Sequence, residues 1–176
     1  MWLITINMLS IRLLVIFIWF MAIMTTYGCG VYSFSGTAID PRVKTIAVAD
    51  FQLLAANAPP ILLPTFTEKL KNKFTSEARL DLKKVKSDVE VSGAIISYLI
   101  EPAASGANDQ AQLNRLTLSV RAEFNNRITK EEWNQIFKAS ENFDRNANLS
   151  DVEAALIEVL TQKVIDDIYN KAFTNW

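Results

Sequence analysis

The chain has 176 residues, half of them hydrophobic, with 18 Lys and Arg against 19 Asp and Glu, no histidine and one cysteine. That near-even charge excludes a broad basic field of the kind that gathers nucleic acid. A lone cysteine excludes an internal disulfide, so stability has to come from the core.

Arg12, the apolar run from Leu13 to Met24 and the TTYGCG around Cys29 have the layout of a secretory signal: a positive flank, a short apolar core and a small residue before the break. An uncleaved anchor starting near Trp2 is the first competing reading. It needs about 20 apolar residues and would place Arg12 inside the hydrocarbon layer, at a cost of about 3 kcal/mol. An ordinary free thiol is the second, and it leaves a reactive group in an exported chain. Cys29, with Gly28 before it, resembles a bacterial lipoprotein processing site, where it would become the mature N-terminus and carry acyl chains. Thr26 and Tyr27 stand where that site usually has Leu and a small residue. Initiation at Met8 instead of Met1 would leave a more ordinary signal. The expected layout is a signal over residues 1–28, a lipidated tether over 29–42 and one domain over 43–176. The tether carries no acidic residue before Asp40, which by the logic of acidic surface-display signals leaves the protein on the periplasmic side.

VKTIAVADF, Val43 to Phe51, is rich in β-branched residues and predicts a first strand. Leu53 to Pro64 holds Pro59, Pro60 and Pro64 and predicts irregular structure, with Ile61, Leu62 and Leu63 either folding back on the core or meeting a partner. Thr65 and Glu68 have capping-box spacing and predict a helix start, followed by Phe66, Leu70 and Phe74 as one apolar stripe. LDLKKVK predicts a short basic strand, and Val89 to Pro102 a longer one with Val89, Val91, Ile95 and Leu99 on one face. Glu101 to Ala111 reads as a loop.

Leu113 to Asn126 alternates cleanly, with Leu116, Leu118, Val120, Ala122 and Phe124 on one face and Arg115, Thr117, Ser119, Arg121 and Glu123 on the other. A turn near Ile128 to Lys130 leads into a strand carrying Trp133, Gln135, Phe137, Ala139 and Phe143, which makes a hairpin. Ser150 and Glu153 predict a second capping box, and Val152, Leu156, Leu160, Val164, Ile168 and Ala172 a long amphipathic helix. The pattern predicts an α+β two-layer sandwich of two helices on a four- to five-stranded, partly antiparallel sheet.

The chemical inventory points to binding or assembly. There is no histidine, the one cysteine is used at the N-terminus, no glycine-rich turn could cradle phosphate, and the carboxylates show no metal-ligand spacing. No catalytic residue, cofactor or metal is expected; an envelope hydrolase using a carboxylate pair is the weakest alternative. GCGVYSFSG, VKTIAVADF, TFTEKLKNKF, LNRLTLSV, FDRNANLSDVEAALIE and DDIYNKAFTNW together resemble the LptE family of lipopolysaccharide-assembly outer-membrane lipoproteins, in order through nearly all of the chain after Cys29. The resemblance implies a lipid-anchored α+β domain that plugs the large β-barrel translocon LptD, helps it assemble and can bind lipopolysaccharide. Contact with the phosphates and carboxylates of that lipid calls for Arg or Lys near apolar surface. The candidates are Lys83, Lys84 and Lys86 on the basic strand, and Arg115 and Arg121 on the polar face of the clean strand. The alternative in a different class is a lipid-carrier or transport-accessory lipoprotein without a barrel, which needs an interior cavity.

Overall fold

The computed structural model describes residues 39–103 and 113–173, together with Arg12. The rest of the signal, Cys29 and the tether up to residue 38 lie outside the described residues, as do residues 104–112, most of the expected loop. All elements below belong to the unit Gly36–Trp176.

The element order is β1 (Thr45–Val48), β2 (Gln52–Leu53), α1 (Leu62–Ser76), β3 (Asp81–Leu82), β4 (Val89–Pro102), β5 (Leu113–Asn126), β6 (Glu131–Asp144) and α2 (Leu149–Phe173). The strands form one mixed sheet in the order β3-β1-β4-β5-β6, with β2 also paired to β4. β1 runs parallel to β3 and β4, while β4, β5 and β6 are antiparallel. The expected first strand is thus split: Ala49, Asp50 and Phe51 leave the ladder between β1 and β2, although the Ala49 amide still donates to the Val91 carbonyl at 2.9 Å. An α+β two-layer sandwich results, with two helices on one face of an open sheet.

The inner face is the core. Val89, Val91 and Ile95 of β4, Leu116, Leu118, Val120 and Ala122 of β5, Phe66, Leu70 and Phe74 of α1, and Leu160, Val164 and Ile168 of α2 are all fully buried. Aromatic rings lock the layers: Phe173 meets Phe74 and Phe124 edge-on at 5.7 and 6.0 Å, and Phe124 stacks on Trp133 at 5.1 Å. The helices are also joined by Lys73, whose ammonium pairs with Asp166 and Glu77 at 2.7 Å and lies 5.0 Å over the Tyr169 ring. Burial pulls the Lys73 pKa down, but those two carboxylates outweigh it and hold it above the ordinary lysine value.

Three expectations need correction. The first helix begins at Leu62, not Thr65, and no side chain caps it. Pro64 falls in the first turn, where its missing N–H would have had no intrahelical partner. Leu62 is buried and Leu63 packs on the core, but Ile61 stays 62% exposed. The second helix begins at Leu149, and its Glu153 is drawn away from the expected capping box: its Oε1 accepts from the Tyr98 hydroxyl at 2.8 Å. In β4 the register with β5 shifts between Ile95 and Ser97, leaving Ile96 as the extra residue of a bulge. That shift turns Tyr98 inward, to 6% exposure, and Leu99 outward, to 47%. β4 ends at Pro102, the limit expected for the strand, so Glu101 and Pro102, where the strand and loop readings overlapped, belong to the strand.

Candidate interaction surface

Both helices cover the same face of the sheet, and no described element covers the other. Its rows follow from the registers: Glu90, Asn125 and Glu132; Ser92, Glu123 and Asn134; Ala94, Arg121 and Ile136; Ser97, Ser119 and Lys138; Leu99, Thr117 and Ser140; Glu101, Arg115 and Asn142. Local bonds brace this face. Asn125 donates to Glu132 at 2.7 Å, Asn134 to Glu123 at 2.9 Å, and Arg115 to the Asn142 Oδ1 at 3.0 Å, while the Thr117 and Ser140 hydroxyls lie 2.9 Å apart. Charge is segregated along the strands, with carboxylates in the rows next to the β5–β6 turn and Arg121 and Lys138 in the middle.

Arg115 and Arg121 both stand on this open face, as their alternation predicted, but about 20 Å apart along β5 at the usual rise per residue. Arg115 is engaged with Asn142. Arg121 has no hydrogen-bond or ion-pair partner among the described residues and borders a groove of about 240 Å³ that also touches Asp50, Gln52, Leu54, Ser92 and Glu123.

The lysines are placed differently from the sequence reading. β3 is only Asp81–Leu82, so Lys83, Lys84 and Lys86 follow the strand instead of lying on it. The Lys83 amide donates to the Ile46 carbonyl at 2.8 Å, which holds the start of this loop against β1. Lys83 and Lys84 border a groove of about 440 Å³ whose remaining wall is Val48, Ala49, Asp50, Leu82 and Lys71 of α1. Lys86 is exposed on the turn at a left-handed φ of 55° and does not border that groove. Lys71, whose ammonium also pairs with Glu68 at 3.0 Å, was not among the sequence candidates; only the packing of α1 beside β1 and β3 brings it to the other two.

The turn that carries these lysines is fixed by Asp88. Its carboxylate accepts from the amides of Lys44 and Thr45 at 3.0 and 2.9 Å and from the Thr45 hydroxyl at 2.8 Å. The same hydroxyl accepts from the Asp88 amide at 2.9 Å. These bonds, from the Lys44 amide first and the Thr45 hydroxyl next, hold the Asp88 pKa below the usual carboxylate value. No group of three or more His, Cys, Asp or Glu among the described residues could hold a metal ion.

Fold and surface together define a class: an open-faced α+β sandwich with a filled core on one side, a polar strand platform on the other and basic side chains beside an apolar edge. The LptE family profile, described as lipopolysaccharide-assembly, matches residues 43–172. The chain therefore belongs to the LptE family, and that membership implies a role in lipopolysaccharide assembly. The family is one of non-enzymatic, outer-membrane-associated lipoproteins. Among solved structures, the chain is similar to the hypothetical protein CT253 from Chlamydia trachomatis, with a TM-score of 0.54, 13% identity, and coverage of 73% of this chain and 94% of that one. It is also similar to a minor lipoprotein from Acinetobacter baumannii, with a TM-score of 0.47, 12% identity, and coverage of 73% and 91%. The first of these likenesses bears on the fold alone. A comparison with curated proteins finds no match.

Proposed function

We propose that this protein is an outer-membrane lipoprotein, acylated at Cys29 and held on the periplasmic side, that plugs an LptD-like β-barrel, helps it assemble and takes part in delivering lipopolysaccharide to the outer leaflet. The observation that carries this reading is the open face of β4, β5 and β6. A polar platform of three 14-residue strands, cross-braced by its own side chains, offers a rigid surface to a barrel interior, which is polar. The filled inner face supports a plug over a lipid carrier, since a carrier needs an apolar cavity of several hundred Å³.

Lipopolysaccharide contact is assigned to two places. The groove beside Lys83 and Lys84, extended by Lys71, sets ammonium groups next to the exposed apolar surface of Leu82, matching an anionic head group joined to an acyl chain. Arg121 and Arg115 supply planar donors for phosphate or carboxylate on the open face. Lys86 contributes charge at the adjoining turn.

The test is affinity purification of the tagged protein from detergent-solubilised outer membranes, beside Cys29→Ala, with co-purifying proteins and acylation identified by mass spectrometry. One large β-barrel in near-equal amount, with acylation only when Cys29 is present, is the expected result. An acylated protein recovered with no barrel would sink the plug reading and leave the lipid carrier ahead.

A further inference from the structure

β6 is the last strand of the sheet, and among the described residues no strand pairs with its outer edge. Its register with β5 runs from Asn126↔Glu131 to Leu113↔Asp144 without a shift, so it has no bulge, and it contains no proline. Bulges, prolines, short length and charged side chains, lysine above all, are the usual devices that stop an edge strand from pairing again. What this edge has is charge, and the arrangement of that charge is informative.

On the open face β6 carries Glu132, Lys138 and Asp144. Lys138 has no hydrogen-bond or ion-pair partner among the described residues. In a symmetric antiparallel pairing of β6 with a second β6, directly opposite residues share a face. Only two such registers set Lys138 opposite a carboxylate. One is centred on Glu141 and puts that glutamate against its own copy. The other is centred on Gln135 and puts Lys138 opposite Glu132 twice, Asn134 opposite Ile136 twice, and Trp133 opposite Phe137 on the inner side. It uses Glu131 to Ala139 and stops short of Glu141, which is already held by Lys163 of α2 at 2.5 Å. Ile136, 45% exposed on the free face, loses part of that exposure in the pairing.

We infer that the outer edge of β6 pairs with the same edge of a second copy of this chain, in the register centred on Gln135, to give one continuous sheet through two domains. This assembly is separate from barrel binding, and its occupant is specified by the twofold Glu132–Lys138 complementarity.

Oxidative cross-linking of single cysteines placed in turn at Glu131, Gln135, Ser140 and Asn142 of the full chain in detergent reads both the pairing and its register. Directly opposite Cα atoms in an antiparallel pair lie about 4.5–5.5 Å apart, within disulfide reach. Gln135→Cys should form a dimer linked through the introduced thiols themselves, identified by peptide mass spectrometry, and the other three should not. Lys138→Glu in the Gln135→Cys background should weaken dimerisation about tenfold or more, because two attractive cross-strand pairs become repulsive. Adding Glu132→Lys should restore it. Circular dichroism of each variant checks that the fold is intact. A monomeric Gln135→Cys, cross-linking equal at all four positions, capture of a strand from another protein, or failure of the double charge reversal to restore the dimer would each overturn the inference.

Discussion

Gly93 is the point in the sheet where a side chain fits worst. A Cβ added there would lie 2.1 Å from the carbonyl oxygen of Arg121 and 2.8 Å from Cε1 of Phe51. The first obstacle is backbone of β5 and cannot yield without opening the β4–β5 ladder. The second is a buried ring packed at 5.2 Å on Phe66, so it has nowhere to retreat. Strand preference acts in the opposite direction, favouring Ala over Gly by about 0.5–1 kcal/mol. Overpacking costs about 1–3 kcal/mol, and a backbone obstacle belongs at the upper end. The balance puts Gly93→Ala at about 2 kcal/mol destabilising, from the overpacking cost less the propensity gain. For a domain of this size that lowers the thermal midpoint by about 4–8 °C. Urea and thermal unfolding followed by circular dichroism measure it, with Ser92→Ala on the open face as a control expected to change stability by less than about 0.5 kcal/mol. A midpoint unchanged or raised by Gly93→Ala would refute the reasoning, because propensity alone would then account for the result.

Tyr98→Phe removes the hydroxyl that donates to Glu153 and should cost about 1–2 kcal/mol, the usual range for a bond to a charged acceptor, discounted because Glu153 is partly solvated. Burial first, and then the Glu153 carboxylate, raises the Tyr98 pKa well above 10.0. The phenol's contribution is therefore whole below pH 10 and lost as pH climbs further, so the wild type should lose stability above pH 10 more steeply than Tyr98→Phe in thermal melts. Asp88 behaves oppositely: its pKa lies below 3.8 when folded, so its contribution is present above that value and lost as pH falls beneath it. Asp88→Asn should be less stable at neutral pH and show a shallower decline between pH 5 and pH 3; identical slopes would remove the Asp88 clamp from the explanation. Lys83→Ala with Lys84→Ala should weaken lipopolysaccharide binding about tenfold at low salt, two charge-assisted contacts being lost, while thermal stability stays unchanged; equal affinity by fluorescence titration would exclude the groove.

Residues such as Leu116, Leu118, Val120, Ala122 and Phe124 were legible as a buried face because alternation along a strand is a local property, and β5 has the limits that alternation predicted. The stripe of Phe66, Leu70 and Phe74 was legible for the same reason at helical spacing. Leu99 was not: a bulge at Ile96 reverses the phase of β4, and nothing in the local pattern marks it. Of the candidate basic residues, the alternation put Arg115 and Arg121 on the correct face, whereas the lysines were assigned to a strand that ends at Leu82. Main-chain pairing with β1 decides that boundary.

From its sequence alone the chain determined the buried stripe of the first helix, the buried face and limits of β5, and the α+β architecture. These follow from hydrophobic period and residue type, which act over a few residues. Tertiary structure decided that β1 lies parallel between β3 and β4, that Glu153 serves Tyr98 instead of its own helix terminus, that Lys71 joins Lys83 and Lys84, and that β6 ends the sheet with no strand among the described residues on its outer edge. Each of these depends on residues distant in sequence meeting when the helices cover one face of the sheet, and no local periodicity encodes which face they cover.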